Sequence, residues 1–280
     1  MKIARIISTS RPRFWIYELG PYVVGLVAAL SVVPIPALVS VPVIAFFVYF
    51  LFPANVLIYG VNDIYDYETD RLNPKKVAYE SLLMPAEHRT MWLIVLLTTL
   101  PFVAALPFSN NPAVVFFAAF LFFAIGYSAE PIRAKTKPLL DMFFSAGHYV
   151  ATGAFGYALL SGLWPTPTAL IAGMLWAMAM HAYSAIPDIR ADSEAGFSTV
   201  ATLLCKKGTL GMCSVFYGVS SVLGYVLIGP IAIALGVVYE FLMVRSFFTH
   251  TDEGLFRLYT YFPTINTIAG MVLFFTVLLL

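Results

Sequence analysis

The amino-acid sequence predicts an all-α protein that crosses a membrane several times. Of its 280 residues, 60% are hydrophobic and only 11% are charged, whereas about a quarter of the residues in a soluble globular protein are charged. Long apolar runs recur along the chain, and about 20 apolar residues cross a hydrocarbon layer roughly 30 Å thick. These observations exclude a disordered protein, a secreted disulfide scaffold and a soluble nucleic-acid-binding protein.

Nine apolar segments are candidate transmembrane helices. Hydrocarbon offers no partner for unpaired backbone groups, and a barrel would require alternating strands of about ten residues, a pattern this sequence does not show. The candidate spans are 15–33, 37–61, 91–108, 113–127, 139–160, 168–186, 210–228, 230–248 and 262–280. Because proline removes a backbone donor, kinks or breaks are expected at Pro42, Pro53, Pro101 and Pro187.

Positive charge is confined to alternate connections between these spans. The sixteen Lys and Arg residues precede the first span or lie where an even-numbered span ends and the next begins. The opposite connections, at 34–36, 109–112, 161–167 and 229, contain no charged residue. By the positive-inside rule, the charged side and the N-terminus face the cytoplasm, and an odd number of spans puts Leu280 at the other face of the cell membrane.

The second span ends in an acidic stripe. In the sequence YGVNDIYDYETDRLNPKK, Asp63, Asp66 and Asp70 are offset by three and four residues, with Asn62 beside them. These offsets put the three carboxylates on one face of a helix. Like charges at this spacing repel each other, so the arrangement requires a positively charged partner.

The sixth span ends in SAIPDIRAD, where Asp188 and Asp192 are one helical turn apart. Both acidic clusters follow even-numbered spans, so the predicted topology puts them on the same side of the membrane, where they can face each other. Mg²⁺ prefers carboxylate oxygens and shares its other positions with substrate phosphates. Such ions neutralise the charge that grows on a departing diphosphate. One acidic cluster could equally be a solvated helix end, but two matched clusters predict a site for magnesium and diphosphate.

The segment YSAEPIRAKTKPLLD, between spans four and five, supplies Tyr127, Arg133 and Lys135. Arginine binds phosphate oxygens by a bidentate fork and lysine binds them as a point charge, so these residues are candidate diphosphate contacts. They can equally serve only as cytoplasmic anchors under the positive-inside rule. Lys76 and Arg190, which lie next to the two acidic clusters, are further candidate diphosphate contacts.

Three motifs resemble those of the UbiA superfamily of intramembrane prenyltransferases. NDIYDYETD resembles its NDxxDxxxD first motif, PDIRAD its DxxxD second motif, and YSAEPIRAK its loop with tyrosine and lysine; they occur in the family's order, and the resemblance covers essentially the whole chain. The resemblance implies nine transmembrane helices around a central cavity open sideways to lipid. It also implies Mg²⁺-assisted loss of diphosphate from an allylic prenyl diphosphate, followed by attack of the allylic cation on an electron-rich acceptor.

The resemblance also assigns roles to residues of this sequence. The implied metal ligands are Asn62, Asp63, Asp66, Asp70, Asp188 and Asp192, of which Asp63, Asp66, Asp188 and Asp192 are the expected catalytic residues. Tyr127, Arg133 and Lys135 would line the diphosphate site. We expect a single domain over 1–280, with pseudo-repeat halves over 1–130 and 131–250 and a last helix over 262–280.

Within the superfamily, the sequence is most similar to the lycopene elongases that build C50 carotenoids. RPRFW at 11–15, LNPKK after Arg71 and SAIPDIRADSEAGFSTVAT carry this similarity. Members that act on aromatic quinone precursors usually continue the first motif with an Arg-Thr and an Arg-Pro pair, whereas this chain has LNPKKVAYESLLMP. The implied reaction joins a dimethylallyl group from its diphosphate to a terminal alkene of lycopene or a related linear carotenoid. A quinone precursor or a lipid acceptor is the alternative within the family.

A cation-binding transporter is an alternative from another class. A transport pathway needs polar positions across the whole membrane, whereas the far half of this chain is nearly devoid of charge. Among the few ionisable residues inside spans, His181 lies seven residues before Asp188, hence about 10 Å deeper on nearly the same helical face. It is either a packed interhelical histidine or the acceptor of the proton lost after coupling. Asp141 is expected to pair with Lys137 on the preceding turn.

Overall fold

The computed structural model describes residues 1–71, 82–194 and 196–280. These residues form helices joined by turns and loops, with no strand among them, so the predicted all-α class is confirmed. In chain order, the α-helices of these ranges are α1 Ile3–Thr9, α2 Trp15–Ala29, α3 Val41–Leu51, α4 Pro53–Asp70, α5 Pro85–Ala105, α6 Asn111–Ser128, α7 Leu140–Ser161, α8 Pro167–Ala185, α9 Ile189–Glu194, α10 Val200–Ile228, α11 Pro230–Phe247 and α12 Asp252–Leu279.

Seven helical runs in the described part of the chain are long and apolar enough to cross a membrane. They are Val41–Glu68, Pro85–Phe108, Asn111–Ser128, Pro167–Glu194, Val200–Ile228, Pro230–Phe247 and Asp252–Leu279. The seven runs do not include the first and fifth predicted spans. The first corresponds to α2, which has only 15 residues, and the fifth to α7, which carries Asp141 and His148. The chain is therefore an integral membrane protein by its helices, and the count of nine stays a prediction.

Two of the four prolines interrupt the helices as expected. Pro53 begins α4 directly after α3 ends, and Pro187 lies in the 3-10 turn Ile186–Asp188 between α8 and α9. Pro42 lies instead in the first turn of α3. Proline is tolerated there because the backbone N–H groups of the first turn have no acceptor within the helix. Pro101 lies inside α5. The break at Pro187 separates α8 from Asp188 and Asp192, which follow it.

The helices form two compact units, and α7 contributes to both. Unit 1 comprises 1–133 and 151–164. Its core is aromatic: the rings of Phe46 and Phe155 are 4.6 Å apart, and the hydroxyl of buried Tyr22 donates to the carbonyl of Val43. Here α2 meets α7 through glycine, because a Cβ on Gly25 would lie 2.0 Å from the Gly153 carbonyl oxygen. Small residues permit such close approach of membrane helices.

Unit 2 comprises 134–150 and 165–280. Its helices are joined by polar side chains in an otherwise apolar interior. The Tyr183 and Ser246 hydroxyls are 2.9 Å apart, and the Tyr239 hydroxyl donates to Asn266 at 2.9 Å. The Tyr239 ring also stacks on Tyr217 with centroids 4.4 Å apart. Because hydrocarbon provides no hydrogen-bond partner, such contacts fix one helix against another.

Candidate active site

The first acidic cluster lies at the end of α4 in unit 1. This helix continues to Asp70, so Asp63, Asp66 and Asp70 lie on one helical stripe, as their spacing predicts. The side chains are partly buried; those of Asp63 and Asp66 are each 13% exposed. Asn62, next to the stripe, accepts a hydrogen bond from the Ser128 hydroxyl at 3.0 Å. The cluster is thus a row of oxygen donors partly shielded from water.

Arg11 supplies positive charge to this cluster. Its guanidinium donates to Asp63 at 2.8 Å and lies over the Tyr59 ring, 4.8 Å from the centroid. The backbone of Arg11 is left-handed, with φ +50°, a conformation that costs energy for a residue with a side chain. This turn follows the end of α1 at Thr9, and the Arg11 guanidinium beyond it reaches the carboxylate of Asp63.

Arg133 provides a second cation to the same cluster. Its guanidinium is 4.0 Å from Asp66, 3.5 Å from Glu130 and donates to the Tyr65 carbonyl at 3.3 Å. Arg133 also has a left-handed backbone, with φ +42°. The loop residue predicted to contact diphosphate is therefore in contact with the acidic stripe inside unit 1.

The second acidic cluster lies in unit 2, where α8 gives way to α9. Asp188 ends the 3-10 turn and is exposed, whereas Asp192 in α9 is partly buried. The negative charges of Asp188 and Asp141 both act on Asp192. Arg190, predicted to contact diphosphate, is 86% exposed and pairs with Glu194 one turn later at 2.9 Å. This cluster therefore concentrates negative charge.

The remaining predicted site residues are placed as follows. Tyr127 is partly buried near the end of α6, in unit 1. Lys135 is partly buried in the 3-10 turn Ala134–Thr136, in unit 2. Lys76 lies outside the described residues.

Asp141 has a role that its sequence neighbours did not indicate. Its side chain is 1% exposed, and its carboxylate accepts the backbone N–H of Val200 at 2.8 Å, which caps the start of α10. The same oxygen lies 4.0 Å from Nε2 of His181. The sequence predicts instead a pairing of Asp141 with Lys137 on the preceding turn. It gives no sign of the contact with Val200, which is 59 residues away.

The donor set fits magnesium in its chemistry. Within the described ranges, no three His, Cys, Asp or Glu side chains are gathered closely enough to hold a metal ion. The polar atoms of the two clusters are nevertheless hard carboxylate and amide oxygens, the donors that Mg²⁺ accepts when it retains water and phosphate ligands. Asp63 and Asp66 already attract guanidinium groups. The residues that would hold metal ions are Asn62, Asp63, Asp66 and Asp70 in unit 1, and Asp188 and Asp192 in unit 2.

The contact of Arg11 with the stripe was not predicted from the sequence, where Arg11 counted only as a positive-inside residue and as part of a family-like motif. Like charges on one helical face nevertheless indicate that a cation approaches them. Glu18, an ionisable residue inside a predicted span, is expected to face a cavity or a partner; it is 2% exposed inside α2 and accepts a hydrogen bond from Thr152 of α7 at 3.0 Å. A carboxylate inside an apolar helix is the sequence signal that such a partner exists.

Comparisons with known proteins agree with this architecture. The profile of the UbiA prenyltransferase family matches residues 19–278. The lycopene elongase/hydratase of Haloferax volcanii is 39% identical over 275 residues, which cover 97% of this chain and 88% of that protein. The lycopene elongase/hydratase of Corynebacterium glutamicum is 32% identical over 290 residues, covering 100% and 97%.

Solved structures show the same fold. A UbiA homolog from Archaeoglobus fulgidus, solved with GPP and Mg²⁺, superposes with a TM-score of 0.75 at 19% identity, covering 99% of this chain and 100% of that one. The same homolog solved with DMAPP and Mg²⁺ gives a TM-score of 0.74. Because the family profile covers most of the chain and the relatives align along nearly all of it, this protein belongs to the UbiA prenyltransferase family.

Proposed function

We propose that this membrane prenyltransferase moves a dimethylallyl group from its diphosphate to lycopene or a related linear carotenoid, in a Mg²⁺-dependent reaction of C50 carotenoid biosynthesis. The observation that supports this proposal is the row of oxygen donors on α4, where Arg11 contacts Asp63 and Arg133 approaches Asp66. Carboxylates and arginines in contact are what a metal-bound diphosphate requires, since the metal binds the former and the phosphate oxygens bind the latter. The names of the relatives support the carotenoid acceptor.

In the proposed mechanism, residues of this protein bind the diphosphate, orient the metal ligands and keep water from the allylic cation. Arg133 lies at the stripe, and its guanidinium would bind phosphate oxygens there. The other proposed contacts are Tyr127, Lys135, Lys76 and Arg190. Magnesium, when bound, would neutralise the charge developing on the departing diphosphate. Arg11 holds the carboxylate of Asp63 in position.

The allylic cation left behind must meet the acceptor before it meets water. The aromatic core of unit 1 and the tyrosines in the interior of unit 2 are buried, and aromatic ring faces attract cations. A carotenoid reaches such a site from the bilayer. The proposed arrangement is one domain of nine spans, repeat halves over 1–130 and 131–250, a last helix over 262–280, and the acidic clusters on the cytoplasmic side of the cell membrane.

The decisive experiment gives the purified protein a choice of acceptors. The protein in detergent is incubated with Mg²⁺ and dimethylallyl diphosphate, together with lycopene, an aromatic acid or a glycerol-phosphate lipid, and the products are measured by mass. We expect a five-carbon gain on lycopene that disappears when Mg²⁺ is chelated. A gain only on the aromatic acid or only on the lipid would refute the proposed acceptor, and no gain on any of them would refute the proposed activity.

A further inference from the structure

An ion pair that the proposed diphosphate chemistry does not use fastens the N-terminal helix α1 to the start of α5. One guanidinium nitrogen of Arg5 donates both to the Glu87 carboxylate and to the Leu82 carbonyl, each at 2.7 Å. The Arg5 and Glu87 side chains are partly buried, with 27% and 29% of their surface exposed. The two residues are 82 positions apart in sequence, so the contact joins separate segments of unit 1.

The short connection that leads into α5 is itself held in place. The Glu87 carboxylate accepts the backbone N–H of Met84 at 3.1 Å, and Nε2 of His88 lies 3.2 Å from the Leu83 carbonyl oxygen. The Leu83 side chain is 1% exposed and belongs to the core of unit 1. Arg5 therefore ties α1 to a fixed part of the protein.

The turn that follows α1 carries Arg11. The backbone N–H of Arg11 donates to the Ser8 carbonyl of α1 at 3.1 Å. The indole N–H of Trp15 donates to the carbonyl of Ser10, a buried residue of the same turn, also at 3.1 Å. Because these bonds join the turn to the helix, a displacement of α1 also displaces the guanidinium that contacts Asp63.

We propose that Arg5 is a positioning residue, whose ion pair with Glu87 fastens α1 so that Arg11 is held against Asp63. The inference deepens the proposed function and rests on it, because Asp63 enters the reaction only as a proposed metal ligand. A helix of seven residues is unstable in isolation. The position of α1 therefore depends on tertiary contacts such as this ion pair.

The conformation of Arg11 makes it sensitive to the loss of such a contact. Its backbone is left-handed, with φ +50°, and a strained conformation persists only when the surrounding structure enforces it. Its guanidinium is placed by two neighbours, Asp63 at 2.8 Å and the Tyr59 ring at 4.8 Å. When Arg5 no longer fastens α1, the turn can relax and the guanidinium loses its place on the carboxylate.

The first experiment is a double-mutant cycle on the Mg²⁺ concentration needed for half-maximal prenyl transfer. It compares the unaltered protein, Arg5→Met, Arg11→Ala and the variant with both changes. We expect Arg5→Met to raise this concentration about threefold to tenfold, because it acts on a metal ligand through other residues. In the Arg11→Ala protein, Arg5→Met should change it by less than about twofold, because two residues that act through one contact are not additive.

Two further variants test the ion pair itself. Arg5→Lys keeps one cationic nitrogen, and one nitrogen makes both contacts in the structure, so it should retain most of the metal affinity. The control is Glu253→Gln, which removes a carboxylate that is 89% exposed and lies 3.9 Å from Arg257 in unit 2. It should leave the Mg²⁺ requirement unchanged.

The second experiment follows α1 in the metal-free protein. Spin labels are attached to cysteines that replace Ile3 of α1 and Leu100 of α5, both exposed, after Cys205→Ser and Cys213→Ser remove the native thiols. The measurement is the distribution of distances between the labels. We expect one narrow distribution for the parent protein and for Arg5→Lys, and a broader or shifted one for Arg5→Met.

The outcomes separate the inference from the function on which it rests. If the unaltered protein transfers no prenyl group, the proposed function fails, whereas the spin-label distances still report whether Arg5 fixes α1. The inference is overturned if Arg5→Met leaves these distances unchanged, leaves the Mg²⁺ requirement unchanged, or raises it equally with and without Arg11. If Arg5→Met lowers the melting temperature, Glu87→Gln takes its place in both experiments under the same criteria, since glutamine keeps an oxygen for the Met84 N–H and removes only the charge.

Discussion

The first acidic cluster is in contact with two arginines, whereas in the second cluster two other carboxylates act on Asp192. In unit 1, Arg11 contacts Asp63 at 2.8 Å and Arg133 approaches Asp66 to 4.0 Å. In unit 2, the negative charges of Asp188 and Asp141 act on Asp192. Arg190, which lies between Asp188 and Asp192 in the sequence, pairs with Glu194. The two clusters thus share a spacing of carboxylates but differ in burial, because Asp63 and Asp66 are each 13% exposed whereas Asp188 is exposed.

This difference indicates that the two clusters depend on the metal to different degrees. In the proposed function, the contacts of Arg11 and Arg133 would orient the carboxylates of unit 1 before the metal and the phosphate oxygens arrive. In unit 2 the charges of Asp188 and Asp141 act on Asp192, and a divalent cation would lower this repulsion. We therefore expect activity to depend on the metal and on the carboxylates of each cluster.

The largest effect is expected from removing one carboxylate of either cluster. Asp63→Ala and Asp188→Ala should each lower prenyl transfer by about 10³-fold or more, because each removes a proposed metal ligand from the departing diphosphate. The measurement is elongated carotenoid formed per minute by protein of unchanged melting temperature.

Matched controls exist on the helices of both units. Glu68 lies on α4 but is paired with Arg71 and largely exposed, and Glu253 on α12 is 89% exposed beside Arg257. Glu68→Ala and Glu253→Ala should retain nearly full activity. Normal turnover in both Asp63→Ala and Asp188→Ala would end the diphosphate-site hypothesis, and loss in only one would show that a single cluster is sufficient.

A smaller but more discriminating effect is expected from the arginines. Arg133→Ala should lower kcat/KM for the diphosphate by about 10²-fold, since a partly buried guanidinium at the acidic stripe would contact the departing group. Arg190→Ala should lower it only by a few fold, because Arg190 is 86% exposed and pairs with Glu194, and water screens such an exposed ion pair. Steady-state kinetics with varied dimethylallyl diphosphate provide the measurement; equal losses in the two variants would contradict the proposed difference between the clusters.

The sequence predicted those features that depend on local spacing. The all-α class follows from long apolar runs, and the stripe of Asp63, Asp66 and Asp70 follows from offsets of three and four on a helix that does continue to Asp70. The break at Pro187 follows from its missing backbone donor. Each of these depends on residues within a few turns of one another.

Contacts between distant segments were not predictable in the same way. Arg11 and Arg133 reach the stripe from positions 52 and 67 residues away from Asp63 and Asp66, and both do so from a left-handed backbone that neither residue favours. Asp141 had a lysine one turn earlier in the sequence, yet its carboxylate caps α10. In each case tertiary packing selects a partner over the sequence neighbour, and the periodicity of one helix contains no information about it.

An effect no larger than that of Arg133→Ala is expected at Arg11. Arg11→Ala should lower kcat/KM by about 10- to 100-fold and raise the Mg²⁺ concentration needed for half-maximal activity, because a residue that orients a metal ligand acts on metal affinity through that ligand. Arg11→Lys should recover part of the activity, since lysine keeps the charge near Asp63 but lacks the planar fork that lies over Tyr59. A Mg²⁺ titration of each variant gives the measurement.

Lys2→Ala provides the control for the charge of the N-terminal segment. Lys2 is exposed at the start of the chain, so its removal changes the net charge as much as the removal of Arg11 does. If Lys2→Ala and Arg11→Ala raise the Mg²⁺ requirement equally, the N-terminal cations act only as a diffuse positive field. In that case the carboxylates of unit 1 are no more pre-organised for the metal than those of unit 2, and the contrast between the two clusters reduces to a difference in burial.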